Sequence, residues 1–180
     1  MTRLQLGTLT WLPAMDNPEL VTETVAQGLG GLNAFVAAID PGLADTDACA
    51  QAYEIDLAQS ANCVIIHGQR VNTTTIAAVV IRACDRADIN GVVRKRLNVR
   101  KASVLPLDQA ISLTSMEYGG IGPIGLPREW PILIDPTVVD TEWIVVGSGI
   151  RGSKLAVEAA ALTQLPNARV LDLSAPPPSL

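Results

Sequence analysis

Apolar positions along the chain fall into short β-branched runs and into stretches with helical spacing, and the two kinds alternate. The short runs predict strands at residues 8–12 (or an extended arm), 33–39, 62–68, 73–83, 102–105, 131–135, 142–146 and 168–173. The run at 73–83 is apolar throughout its centre, as strands covered on both faces are, and it reads as a hairpin with 62–68. Helices are predicted from Asp16-Asn17-Pro18, from Asp45 or Thr46 to 54, and over 88–97, 108–113 and 153–165. Leu20, Val21, Thr24, Val25 and Gly28 share a face of the first helix, and Ile89, Val92, Val93 and Leu97 a face of the third. About eight strands and five helices, joined by hairpins and crossovers, predict an α+β fold on a mixed sheet. Residues 1–174 are expected to form one domain, and 175–180 a flexible proline-rich tail.

Two stretches obey neither period. Residues 116–127 carry Gly119, Gly120, Gly122 and Gly125 together with Pro123 and Pro127. Glycine permits positive φ or close approach of another backbone, and proline stiffens the bend. Met116, Tyr118, Ile121, Ile124 and Leu126 are interleaved, so the loop is expected to pack on the body. A functional loop and a plain chain reversal both fit. The second stretch is Gly147-Ser148-Gly149-Ile150-Arg151-Gly152. It follows a predicted strand, opens a predicted helix and has Asp172 twenty residues beyond its last glycine, as a dinucleotide-binding fingerprint does. The further parallel strands of such a fold are not read beyond Asp172, nor are βαβ units upstream.

Composition narrows the classes. A net charge of −5 argues against a general DNA- or RNA-coating protein, and six aromatic residues are too few to stack a long single strand. No apolar run is long enough for a membrane span and no secretory leader is read, so no membrane partner is expected. Cys49, Cys63 and Cys84 lack metal-ligand spacing and are expected as reduced thiols in the cytoplasm. Cys63 and His67 lie four apart on a predicted strand, about 13 Å, too far for a nucleophile–base pair. Arg94, Lys95, Arg96, Arg100 and Lys101 form the densest basic cluster, whose ordinary reading is a solvated face.

Residues 114–125 resemble the glycine–proline loop of the YbaK/EbsC family, aminoacyl-tRNA deacylases related to the editing insertion of bacterial prolyl-tRNA synthetase. Gly119 and Pro123 match the family's Gly-x-x-x-Pro, and Gly125 its later glycine; Thr114-Ser115 stands for its Thr-Gly. Gly147, Gly149, Arg151 and Gly152 match a Gly-x-Gly-x-Arg-Gly turn that closes the same pocket. The resemblance runs over residues 46–173.

The resemblance implies a curved, partly barrel-like mixed sheet with helices outside and a pocket at one end. It implies hydrolysis of a mischarged tRNA in trans, often tRNA for proline bearing alanine or cysteine, with no metal or cofactor. The tRNA acceptor end would be the partner, and the basic cluster a candidate patch for its stem. The backbone amides of Gly119, Gly120 and Gly122 are expected to stabilise the oxyanion. Pro123, Gly125, Asp135, Gly147, Ser148, Gly149 and Arg151 are expected to bind substrate, although an Asx turn with Pro136 accounts for Asp135 at least as well. The family's lysine, followed by threonine, aligns with Asn62-Cys63, and an amide carries no charge. A slow deacylase is therefore expected, quickened by Asn62→Lys. The alternatives are a non-catalytic binder of an aminoacyl-adenosine-like ligand in the same pocket and dinucleotide binding at 147–152. Oligomeric state is left open.

Overall fold

A computed structural model of the chain describes residues 4–174. The predicted tail at 175–180 lies outside the described residues.

Strand β1 is Leu12–Pro13, and helix α1 (Glu23–Leu29) follows two short 3-10 turns. The helix start expected at Asp16-Asn17-Pro18 shifts because Val21 and Thr22 are extended; Thr22 Oγ1 accepts from the Val25 amide and caps α1. Strand β2 (Ala34–Ala38) and helix α2 (Thr46–Tyr53) come next, α2 capped by the Asp45 carboxylate. Strands β3 (Ala61–Arg70) and β4 (Thr73–Arg82) form the expected hairpin, in register from Ala61↔Arg82 to Arg70↔Thr73. A five-residue π turn (Ile89–Val93), capped by Asp88, runs into the short α3 (Arg94–Arg96). Then come β5 (Lys101–Val104), α4 (Leu107–Thr114), β6 (Ile132–Ile134) and α5 (Pro136–Val139). Strands β7 (Trp143–Gly147), β8 (Ser153–Glu158) and β9 (Ala168–Val170) complete the order.

The strands make two sheets. One is wholly antiparallel, in the order β1-β2-β8-β7; the other is mixed, in the order β5-β3-β4-β6-β9, with β6 parallel to β4 and to β9. A single parallel bridge, Ser60 to Val145, joins them where β3 begins. One core lies between: Val36, Val146, Leu155 and Val157 from the first sheet meet Ile65, Ala78, Val80 and Ile134 from the second. Val79 and Ile66 face the other way, into a second cluster under Val93 and Leu133, so β4 is covered on both faces as its apolar run predicts. The mixed α+β architecture is as expected, but the strands are divided between two sheets, only one of them mixed, and form no closed barrel among the described residues.

The clear departure is residues 153–165. The predicted helix is instead strand β8 followed by a 3-10 turn, Ala159–Gln164. Ser-Lys-Leu-Ala-Val-Glu contains good helix formers, but this segment is the central strand between β2 and β7 and is buried from Ser153 to Val157. Two ladders of hydrogen bonds and burial of both faces outweigh propensities worth tenths of a kcal/mol each. The consequence for residues 147–152 is direct: they close a β7–β8 hairpin. No helix N-terminus stands there to receive a pyrophosphate, so the dinucleotide reading falls.

Candidate functional site

A cavity of about 280 Å³ opens beside the bridge that joins the two sheets. Its walls come from the start of α2, the start of β3, Leu107 at the head of α4, the glycine–proline loop, and the β7 and β8 ends of the hairpin. Val145, Ile121 and Leu107 make one side of it apolar, and the polar side chains on its lining include Asp45, Thr46, Ser60, Asn62 and Lys154, beside the backbone of Gly119.

Asn62, the second residue of β3, is half-buried. Its Oδ1 accepts a 2.7 Å hydrogen bond from Thr46 Oγ1 on α2, which fixes the amide and turns its two Nδ2 donors to other work. Beside it, Cys63 is half-buried and its thiol is pushed up to about 12 by burial, far from the thiolate a nucleophile needs. His67 lies along β3 in a different concavity with Arg94, Arg100 and Lys101, so no thiol–imidazole pair forms.

Lys154 was not anticipated. It is only 7% exposed, and Nζ donates to the carbonyls of Ala44 (2.8 Å) and Gly119 (3.3 Å). Burial lowers its pKa from the ordinary 10.5; Cys49 and Asp45 pull the other way, and Arg151 adds to the lowering. No carboxylate is in ion-pair contact with it among the described residues. Read as helical, residues 153–165 would carry Lys154 on a solvated first turn, which hid it. The usable signal was a lone lysine inside the buried-looking run Ser153 to Val157.

The two glycine stretches meet backbone to backbone. A Cβ added at Gly122 would strike the Gly147 carbonyl, one at Gly147 would strike the Gly120 and Ile121 carbonyls, and one at Gly120 would lie 2.6 Å from Ile150 O. The loop also bonds to the hairpin: Gly149 N donates to Gly120 O (2.7 Å), Glu117 N to Gly149 O (2.7 Å), and Arg151 N to Glu117 Oε2 (2.7 Å). The Arg151 guanidinium stacks 4.7 Å over the Tyr118 ring and donates to Tyr118 O.

These contacts reassign several expected donors. Gly120 N donates to Glu117 O and Gly122 N to the Met116 sulfur, so neither amide is free for an oxyanion. The Gly119 amide alone of the three has no partner among the described residues. Gly147 lines the cavity with Gly119 and Asn62, whereas Ser148 is fully buried against Ile150 and Ser153, Gly149 packs on Thr22, and Arg151 braces the loop. Pro123 and Gly125 line a separate cavity of about 550 Å³ with Gly28 and Arg128. Asp135 is also elsewhere. It caps α5, accepting from Thr137 N (3.0 Å), Thr137 Oγ1 (2.6 Å) and Leu173 N (2.9 Å), and so is spent on structure. Among the described residues no group of three His, Cys, Asp or Glu side chains is placed to hold a metal ion.

Residues 40–165 match the profile of the aminoacyl-tRNA editing domain. The chain belongs to that family. Among solved structures, the fold of this editing domain resembles a proposed trans-editing enzyme for prolyl-tRNA synthetase, with TM-score 0.70 and 18% identity over 92% of this chain and 99% of that one. It also resembles a hypothetical protein with TM-score 0.75 and 19% identity, covering 85% of this chain and all of that one. Among curated proteins none matches. Within the editing domain, the cavity thus holds Asn62 where the resemblance leads one to expect lysine, while a lysine enters from another strand. No helix among the described residues is long and apolar enough to cross a membrane.

Proposed function

We propose that this editing domain hydrolyses the ester of a mischarged aminoacyl-tRNA in trans, in the cytoplasm, with the acceptor end entering the cavity between the two sheets. The observation that carries the reading is that cavity: about 280 Å³, apolar on the Val145 and Ile121 side, with the Asn62 amide and the Gly119 backbone facing it. That volume suits a small side chain and part of a ribose, as in alanine or cysteine esterified to tRNA for proline. An aminoacyl ester is already activated, so holding it beside water and supporting the developing oxyanion suffices without a strong base. The Gly119 amide is the backbone donor left for that task, and Asn62 Nδ2 orients the substrate. Sequence family and fold similarity to a proposed prolyl-tRNA trans-editing enzyme support the substrate class.

One observation favours a second reading, a non-catalytic binder: among the cavity-lining side chains there is no imidazole, and Cys63 is held as a thiol. A deacylation panel of tRNAs bearing wrong small amino acids separates the two. Release of at least one amino acid faster than the uncatalysed reaction is expected. Protection of every ester from hydrolysis would establish the binder instead.

A further inference from the structure

We propose that Lys154 is the cationic catalytic group of this site, its ammonium contacting the carbonyl oxygen of the aminoacyl ester and stabilising the negative charge that develops there. The inference rests on the deacylase reading above and adds to it the residue that answers the charge. Three observations support it. Lys154 lines the same cavity as Asn62 and Gly119. Its ammonium is buried with no carboxylate in ion-pair contact among the described residues; the Ala44 and Gly119 carbonyls hold it, and Asp45, on the same cavity, acts on it only at longer range. Of its three donors, two are engaged by the Ala44 and Gly119 carbonyls, and one remains.

Taking an ammonium out of water without an acidic partner costs several kcal/mol, so a lysine kept there for packing would be a poor choice beside methionine. The two carbonyls come from different segments that pack side by side, the residues before α2 and the glycine loop, and they hold Nζ at a defined point. In the reaction, water oxygen bonds to the carbonyl carbon and the carbonyl electron pair moves onto oxygen, beside the ammonium. Collapse breaks the bond to the ribose oxygen, which receives the proton lost by water. Lys154 keeps its protons throughout. The cation thus enters from β8, in the other sheet, and Asn62 on β3 is free to be a neutral orienting amide.

The test measures deacylation of the mischarged-tRNA panel by the parent, Lys154→Gln, Lys154→Arg and the double variant Asn62→Lys/Lys154→Gln, with thermal melts. A parallel arm measures binding of a non-hydrolysable alanyl amide of 3′-amino-3′-deoxyadenosine. Lys154→Gln, which keeps hydrogen-bonding capacity but not charge, is expected to lower kcat about 100-fold, the scale of losing one oxyanion donor. KM should change little, and the double variant should recover most of the rate by supplying the cation from β3. A Lys154→Gln kcat within about threefold of the parent overturns the inference while the deacylase reading stands. If Lys154→Gln does not fold, the alkaline limb of the pH profile decides. The rate should fall below the ordinary 10.5 in the parent and not in Lys154→Arg, and an identical limb in both overturns it. If the parent hydrolyses no member of the panel, the deacylase reading fails and the catalytic role of Lys154 falls with it. Where the parent is active, equal affinity of parent and Lys154→Gln for the amide is expected, since the ammonium acts on charge that the amide does not develop. A loss of affinity as large as the loss of kcat would overturn the inference by making Lys154 a binding residue only.

Discussion

Asn62 of β3 and Lys154 of β8 reach one cavity from two different sheets, which pack across a shared core and are joined by backbone pairing, among the described residues, at the Ser60–Val145 bridge. The pair therefore depends on how the sheets are set against each other. The glycine loop borders that pair: its backbone packs against the β7–β8 hairpin, and its Gly119 carbonyl receives the lysine.

This arrangement reverses what the sequence alone leads one to expect of Asn62→Lys. With Lys154 already present, a second ammonium in the cavity meets a like charge, and each disfavours the charged form of the other. We expect the single variant to be slower than the parent and less stable, and to gain rate only when Lys154 is neutralised. Comparing single and double variants on one mischarged tRNA checks this. A faster single variant would mean that the two positions do not share a site.

Asn62→Ala should keep the fold and lose substrate orientation. Loss of one neutral hydrogen bond is worth about 1 kcal/mol, hence a several-fold fall in kcat/KM. The Thr46 hydroxyl loses its acceptor at the same time, so Thr46→Val in the Asn62→Ala background should cost almost nothing further. Additive losses from the two substitutions would show that they act independently.

The glycines give a stability prediction. Gly122→Ala and Gly147→Ala each force a methyl into the facing backbone, and overpacking of this kind costs about 1–3 kcal/mol. Gly31 is the contrast: unlike those two it has positive φ, but nothing lies within 4 Å of an added Cβ, so Gly31→Ala should show only conformational strain, about 1 kcal/mol. Urea unfolding of the three variants ranks them. If Gly31→Ala proves the most damaging, close packing is not what the glycine loop is for.

The fold was largely readable because its strands announce themselves. The β3–β4 hairpin and the doubly covered β4 follow from β-branched runs, and α2 follows from Asp45. The glycine loop could be located but not interpreted. Backbone groups aimed at a ligand and backbone groups aimed at another loop need the same glycines, and only the distances to Gly147 and Ile150 separate the two. Asp135 was ambiguous in the same way, since a cap and a ligand both want a carboxylate before a proline. Lys154 was invisible for a different reason: local propensity favours helix at 153–158, and the strand is imposed by β2 and β7, distant in sequence.

Asp135 predicts acid sensitivity. Burial alone would raise its pKa, but bonds from Thr137, Leu173 and Ser174 to the charged form prevail and hold it below the ordinary 3.8. A depressed folded value means that the stabilisation is complete above 3.8 and is lost as pH falls through the folded value. Asp135→Asn should therefore destabilise by a constant amount near neutral pH, on the order of 2 kcal/mol, with the difference from the parent shrinking only in strong acid. A difference that is already gone at pH values well above 3.8 would contradict this reading of the cap.

Lys154 and Cys63 should impose opposite alkaline slopes on stability. Burial holds the Lys154 pKa below 10.5, so between the folded value and 10.5 the unfolded chain binds more protons than the native one. Stability attributable to this group rises with pH across that window. Burial raises Cys63 to about 12 from an ordinary 9.0, so between those values the native state holds the extra proton and stability falls as pH rises. Each slope approaches at most about 1.4 kcal/mol per pH unit. Denaturant unfolding from neutral pH into the alkaline range should thus show Lys154→Met losing a rising component relative to the parent. Cys63→Ala should lose a falling one, beginning above pH 9.0. Parallel curves for Lys154→Met and the parent would mean that the lysine titrates as it does in water, which is incompatible with an ammonium withdrawn from solvent in this cavity.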